Sequence, residues 1–208
     1  MVIVFDLDDT LYDEIDFVKS GFKEVSEFLG SEKYFDFMWN EFIENGSGKI
    51  FNKLIEKFSL DIDVKVLIDI YRFHKPKISL PDETIDILEY AKNFKTALIS
   101  DGFYITQQNK FEALNLNKFI KYPIFTHFYH TKKPELKPFQ MVMDKFKDDN
   151  YIYISDNPKK DFFAPIELGW KTIRYKNPVG IYRDYESNAH FEVEKRSDII
   201  KILKELNA

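Results

Sequence analysis

The chain has 208 residues, 44% of them hydrophobic and 17% aromatic, which is enough apolar material for one ordinary domain, with or without a modest insertion. A formal charge of -5 argues against a general nucleic-acid role, which needs a basic face. The absence of cysteine excludes disulfides, thiolate catalysis and Cys-ligated metal sites. His74, His127, His130 and His190 are scattered without HxxxH or HExxH spacing, so structural or surface roles are expected of them. No apolar run approaches the ~20 residues of a membrane span. The first strand starts at residue 2, which leaves no room for a signal peptide, and the expected compartment is the cytoplasm.

Val2-Ile3-Val4-Phe5 is apolar and β-branched, the pattern of a buried strand, and it stops at Asp6. Asp8, Asp9 and Thr10 follow, and Asp13-Glu14 suits the first turn of a helix. Two carboxylates as close as Asp6 and Asp8 repel each other, so the pair needs a cation, a shared proton or open water. From Asp13 to about Ser79 the spacing predicts four short amphipathic helices. Their stripes are Phe17, Val18, Phe22, Val25, Phe28, Leu29; then Phe35, Met38, Trp39, Phe42, Ile43; then Ile50, Phe51, Leu54, Ile55, Phe58; then Val66, Leu67, Ile70, Tyr71, Phe73. Gly30-Ser31, Asn45-Gly46-Ser47-Gly48 and Lys75-Pro76 interrupt or end them. Such helices can bury their stripes against one another as a small bundle.

Beyond Leu80 the pattern alternates. Pro81-Asp82-Glu83 opens a helix with Ile85, Leu88 and Ala91 as its inward face. Thr96–Ile99 is a strand ended by Ser100-Asp101-Gly102, and a helix runs from about Thr106 to Leu114. Pro123–Thr126 is a third strand. Thr131-Lys132-Lys133-Pro134 leads through Lys137-Pro138 to a helix with Phe139, Met143 and Phe146. Tyr151–Ile154 is a fourth strand ended by Ser155-Asp156-Asn157-Pro158, and a helix from about Phe162 to Leu168 stops at Gly169. Lys171–Tyr175 and Phe191–Val193 are further strands, and Asp198–Leu206 is a closing helix. Strands alternating with helices, and almost continuously apolar, mean a parallel sheet covered on both faces. The expected fold is α/β, a three-layer Rossmann-like parallel sheet core of residues 1–13 and 80–208 with a helical-bundle cap of residues 14–79 inserted. The insertion is far longer than a simple crossover and is expected to act as a lid, with Leu11 to Asp16 as its hinge.

Asp6 and Asp8 follow the first strand, Ser100 the second and Asp156 the fourth, Lys133 precedes the helix after the third and Asp161 sits five residues beyond Asp156; in a parallel sheet those strand ends share one edge. Singly, each is an ordinary turn, cap or solvated charge; together, at equivalent positions, they are not coincidence.

Asp6-Leu7-Asp8-Asp9-Thr10 resembles motif I of the haloacid dehalogenase (HAD) superfamily, DxDx[TV], and Ser100-Asp101-Gly102 resembles motif II. Lys133-Pro134, six residues before Phe139, is similar to the KPxPxxF pattern of motif III, and Asp156-Asn157-Pro158-Lys159-Lys160-Asp161 to the DxxxxD of motif IV. The resemblance spans essentially the whole chain, and the helical block stands where subfamily I members carry a C1 cap. Ser155 replaces a usual glycine, the approach to Lys133 lacks one, and Leu136 replaces the second proline of motif III, which leaves Lys132 and Lys137 as alternatives to Lys133.

The resemblance implies a Mg²⁺-dependent phosphatase acting on a small phosphorylated metabolite such as a sugar phosphate or nucleotide. It implies Asp6 as the nucleophile and Asp8 as general acid and base. Thr10, Ser100, Asp101, Gly102 and Lys133 are the implied substrate-binding residues, with Lys133, the Ser100 hydroxyl and the Asp101 N–H holding the phosphoryl oxygens. The implied metal set is Asp6, the Asp8 carbonyl and Asp156, with Asp161 either on the metal or orienting Lys133 or a water. An aspartate with a pKa near ~3.9 is ionised at neutral pH and needs no base to become a nucleophile. Asp8 argues for a phosphatase over a dehalogenase, which does not keep the second aspartate in that role. Phosphomutase activity and a non-catalytic binding module are the alternatives. The Asn45–Lys49 loop is either a substrate contact or a plain interhelical turn, and the phenylalanines are read as core filling.

Overall fold

The computed structural model describes residues 1–207, which separate into two compact units: Met1–Glu14 with the chain from Ser79 onward, and Ile15–Ile78.

The first unit is built on six parallel strands, β1 (Val2–Phe5), β2 (Lys95–Ser100), β3 (Tyr122–Phe125), β4 (Tyr151–Ser155), β5 (Lys171–Tyr175) and β6 (Phe191–Val193), in the order β3-β2-β1-β4-β5-β6. β1 lies centrally, pairing Val4 with Ala97 on one side and with Tyr153 on the other. It is buried on both faces, which is why it reads as an unbroken apolar run. One sheet face packs Val2, Val4, Ala97, Ile99 and Tyr153 against Phe139, Val142, Phe162 and Trp170. Trp170 stacks on Tyr151 with ring centres 4.7 Å apart, and Phe139 meets Tyr153 edge-on at 5.2 Å. Because β1 ends at Phe5, β2 at Ser100 and β4 at Ser155, the residues that follow emerge on one edge of the sheet.

The helices of this unit are α5 (Asp82–Ala91), α6 (Tyr104–Ala113), α7 (Lys137–Phe146), α8 (Phe163–Glu167) and α9 (Arg196–Leu206). In α5 the inward face differs from expectation: Thr84, Ile87, Leu88 and Ala91 are buried, whereas Ile85 is exposed. Ile87, Leu88 and Ala91 keep the i, i+1, i+4 spacing of one face, and Ile85 lies off it.

The second unit holds α1 (Glu14–Leu29, which begins in the first unit), α2 (Glu32–Asn45), α3 (Ile50–Phe58) and α4 (Val64–Phe73). Val18, Phe22, Val25, Met38, Ile50, Leu54 and Leu67 form its core, with Phe22 set edge-on to Phe42 and Phe51. Phe28, Ile43, Val66 and Phe73 were expected in the buried stripes but are exposed, because each helix offers a wider apolar arc than the shared core covers. His74 is structural, with Nδ1 2.7 Å from the Tyr71 carbonyl and Nε2 3.1 Å from Ser20 Oγ. Among the described residues, no helix is long and apolar enough to cross a membrane.

Candidate active site

The edge where β1, β2 and β4 end carries a cavity of about 330 Å³, lined by residues that include Asp6, Asp8, Asp101, Gly102, Lys133, Asp156 and Asp161. Ser100 and Thr10, also assigned to the site from sequence, do not line it; they are buried behind it at 1% and 2% exposure.

Asp6 is the first residue past β1 and its N–H donates to the Ile154 carbonyl of β4 at 2.9 Å, so the sheet itself fixes its backbone. Lys133 Nζ donates to Asp6 Oδ1 at 2.7 Å and to the Tyr153 hydroxyl at 3.1 Å, and lies 3.0 Å from Asp161 Oδ1. That last contact is an ion pair without hydrogen-bond alignment. The other Asp161 oxygen accepts a hydrogen bond from Ser155 Oγ. Of the three candidate lysines, Lys133 is the one inside; Lys132 is exposed and Lys137 Nζ donates to the Tyr129 carbonyl at 2.8 Å. Ser155, standing where the family has glycine, thus supplies a hydroxyl that occupies Asp161.

Asp6, Asp156 and Asp161 bring carboxylate oxygens within 4.8 Å of one another, all three buried. Burial, reinforced by the Asp161 charge against the pull of Lys133, pushes Asp6 up to about 7. Burial, then the charges of Asp6 and Asp161, pushes Asp156 up to about 9. Burial alone would lower the Lys133 ammonium, but Asp161 and Asp6 more than offset this and hold it well above its ordinary value. Three carboxylates against one ammonium leave an excess of negative charge that a divalent cation fits, and an all-oxygen donor set suits a hard ion such as Mg²⁺. Asp161 is already engaged by Lys133 and Ser155, so Asp6 and Asp156 are the better-placed side-chain ligands.

Asp8 belongs to a second cluster. Its Oδ1 accepts from Tyr12 Oη at 2.6 Å and Lys110 Nζ at 2.7 Å, and its Oδ2 from Gln107 Nε2 at 3.2 Å. Lys110 is 1% exposed and also reaches Glu14 Oε1 at 3.3 Å. The Asp8 charge first, then burial, pushes Glu14 up to about 7. Burial would lower Lys110, but Asp8 and Glu14 outweigh it and hold it above its ordinary value. Asp9 takes a left-handed φ of 55° and its carboxylate accepts from the Glu14 N–H at 3.0 Å, which starts α1.

The Asp101 side chain is part of the site's framework. Its carboxylate accepts from the Lys133 N–H at 3.1 Å, Thr126 Oγ1 at 2.8 Å and Lys160 Nζ at 2.8 Å, tying three segments of the site together. Gly102 has φ 123°, and a Cβ there would press on the Gln107 side chain that holds Asp8.

Sequence reasoning missed Tyr12, Gln107, Lys110 and Lys160. The available signal lay in α6, whose buried face is Thr106, Gln107, Lys110 and Phe111. Polar residues at i and i+3 on the inward face of a helix mark a site rather than a core.

A family model described as haloacid dehalogenase-like hydrolase matches residues 3–175, and the chain belongs to that family. It is a HAD-type hydrolase, and relatives similar to it over nearly their whole length are named as phosphatases. A glyceraldehyde 3-phosphate phosphatase of Methanocaldococcus jannaschii is 28% identical, covering 98% of this chain and 97% of the relative. A phosphoglycolate phosphatase of Aquifex aeolicus is 24% identical, covering 97% and 96%. Among solved structures, the magnesium-bound HAD-hydrolase YfnB of Bacillus subtilis shares the fold with a TM-score of 0.71 at 18% identity, covering 97% of each chain.

Proposed function

We propose that this chain is a phosphatase that hydrolyses a small phosphate monoester, a sugar phosphate or similar metabolite, through an aspartyl-phosphate on Asp6. The observation that carries this reading is the division of the two motif I aspartates between two separate sets of partners. Asp6 is held by Lys133 at the end of β1, and Asp8 by Tyr12, Lys110 and Gln107. Paired carboxylates in different environments are how one site runs nucleophilic and acid–base chemistry together.

The Asp6 carboxylate attacks phosphorus and the bond to the leaving oxygen breaks. Asp8, carrying a proton, gives it to that oxygen. Asp8 then takes a proton from the water that attacks the aspartyl-phosphate, and phosphate leaves with Asp6 restored. Lys133 offers positive charge to the phosphoryl oxygens and the Asp101 N–H donates to them as charge spreads in the transition state, while Ser100, off the cavity lining, is given no direct contact. Asp6, Asp156 and the Asp8 carbonyl would hold Mg²⁺, with Asp161 setting the Lys133 ammonium in place. Bound there, Mg²⁺ supplies the charge that lets a carboxylate approach a phosphate dianion. The Ile15–Ile78 unit is read as the family's α-helical cap.

The test is phosphate release from a panel of small esters, with and without Mg²⁺, wild type beside Asp6→Asn. Metal-dependent release by wild type alone is expected. Transfer of the phosphoryl group to a bound sugar instead of water would make the chain a phosphomutase. Substantial metal-dependent turnover by clean Asp6→Asn would remove Asp6 as nucleophile.

A further inference from the structure

Arg174 is a charged residue inside a buried strand, 1% exposed. A guanidinium taken from water must find partners for its N–H donors. Nη1 donates to the Tyr185 carbonyl at 2.6 Å and Nη2 to the Tyr182 carbonyl at 2.6 Å and the Arg183 carbonyl at 3.4 Å. Nε donates to the Asp156 carbonyl at 3.3 Å, and the Glu192 carboxylate stands 3.2 Å from Nη1 as counter-charge. Three of these carbonyls belong to the connection between β5 and β6, and the fourth to the acid that follows β4. One buried side chain therefore fixes the β5–β6 loop to the floor of the active site.

The same loop is anchored twice more. Asn177 Nδ2 donates to the Asp9 carbonyl at 3.2 Å and to Asp13 Oδ1 at 3.0 Å, and its Oδ1 accepts from the Val179 N–H at 3.0 Å. Lys159 Nζ, in the loop after β4, lies 4.0 Å from the Tyr185 ring centre. A connection held at so many points has a defined shape, and that shape puts Ile181 and Tyr182 on the lining of the cavity that contains Asp6 and Asp8. Ile181 is 77% exposed, so its aliphatic surface packs on little of the protein itself. An apolar side chain on the wall of an otherwise polar cavity offers contact to the carbon part of a ligand.

The charges around it indicate which carbon part. Asp9 and Glu14 share the lining, and its two lysines are engaged, Lys133 with Asp6 and Asp161, Lys160 with Asp101. A second anion on the leaving group would meet carboxylates here, not a free cation. Resting on the phosphatase reading above, we infer that the Arg174-anchored β5–β6 loop is the core unit's own leaving-group wall, with Ile181 as its contact residue, and that it favours esters of short uncharged alcohols over esters whose leaving group carries a carboxylate.

The experiment compares wild type, Ile181→Ser and Ile181→Lys, full-length and with Mg²⁺, on glyceraldehyde 3-phosphate and 2-phosphoglycolate, with inorganic phosphate as inhibitor. Ile181→Ser is expected to lower kcat/KM for glyceraldehyde 3-phosphate roughly tenfold, mainly through KM, the low end for lost apolar contact in a pocket. Ile181→Lys is expected to raise the phosphoglycolate-to-glyceraldehyde ratio of kcat/KM about tenfold by the same measure. The inhibition constant of inorganic phosphate, which has no leaving group, stays constant in both. Unchanged ratios in variants of an active wild type overturn the wall and leave the phosphatase reading standing. A lysine effect equally large on inorganic phosphate overturns it too, as a general field and not a contact. A wild type that releases no phosphate from any ester of the panel overturns the phosphatase reading and this inference with it.

Discussion

Two buried lysines stand over the two motif I aspartates, Lys133 over Asp6 and Lys110 over Asp8, each at 2.7 Å. The resemblance stops at the distance. Lys133 pairs with two of three mutually close carboxylates, Asp6 and Asp161, and Asp6 and Asp156 are pushed far out of the ordinary carboxylate range. Around Lys110, the Asp8 carboxylate is met by an ammonium, a phenol and an amide, with Glu14 at the edge. The first cluster is short of positive charge and suits a cation. The second has hydrogen-bond donors on both oxygens of Asp8 and suits a side chain that must keep one orientation. Two neighbouring aspartates of one short loop can therefore do different work, because the elements that reach them differ.

The largest effect that would sharpen this comparison is expected from Asp8→Asn, which should cost ~10²–10⁴-fold in kcat by removing acid–base help. The loss should shrink, in the first turnover, with an ester whose leaving group needs no proton. A uniform loss across leaving groups would break the assignment of Asp8. Next comes Lys133→Met, expected to lower kcat by roughly 10²–10³-fold, as for loss of one strong transition-state donor. It should preserve or enlarge the Mg²⁺-induced rise in Tm, because it deepens the negative excess. Lys110→Met should cost less, about 10–100-fold, the range for partners that orient a reacting group from behind. It should leave the Mg²⁺-induced shift as it was, and Lys110→Arg should recover part of the activity. If Lys110→Met abolished the metal response, the two clusters would be one.

The smallest effect is on stability against pH. Asp6 at about 7, Asp156 at about 9 and Glu14 at about 7 all lie above the unfolded carboxylate range. Between roughly pH 4 and 9 the metal-free fold thus holds more protons than the unfolded chain, and stability should fall as pH rises through that window. Melting in EDTA should show that fall, and the gain in Tm from Mg²⁺ should grow toward pH 9. Glu14→Gln should flatten the segment below about pH 7 only in part, because Asp6 and Asp156 also hold protons there that the unfolded chain has lost. A flat EDTA curve from pH 5 to 9 would mean that neither cluster is strained without metal.

The first cluster was legible in the sequence and the partners of Asp8 were not, and the reason is local context, since Lys133 reaches Asp6 across even more residues than Lys110 reaches Asp8. Asp6, Ser100 and Asp156 sit at or just past strand ends, where an apolar run that stops is visible locally, and Lys133 lies in the short polar stretch before α7. Lys110 meets Asp8 across 102 residues, from the middle of a helix, where a lysine reads as solvated. Arg174 was hidden differently, since a strand written Lys171-Thr172-Ile173-Arg174-Tyr175 gives no sign that its arginine points into loop carbonyls. The helices of the second unit were plain from their period, but not which apolar residues would remain outside, because that depends on how few neighbours a four-helix core provides. Ile85 failed for a similar reason: the period allowed more than one inward face, and packing chose the one with Ile87.

The central place of β1 also has a consequence for biosynthesis. Val2 pairs with Lys95 on one side and Tyr151 on the other, so both neighbours of the strand that leads into Asp6 are made long after it. At about 5–20 residues per second, some 150 residues take the ribosome roughly 8–30 s. Until β2 emerges this buried strand has no neighbour to pair with, and one of its two sides stays open for the whole of that interval. The helical block that follows it draws its core from near neighbours in sequence and can settle first, since local contacts form fastest. Asp6 thus acquires its Lys133 partner only late in synthesis, and nascent chains cut short before β4 are expected to carry a folded helical block and no assembled active site.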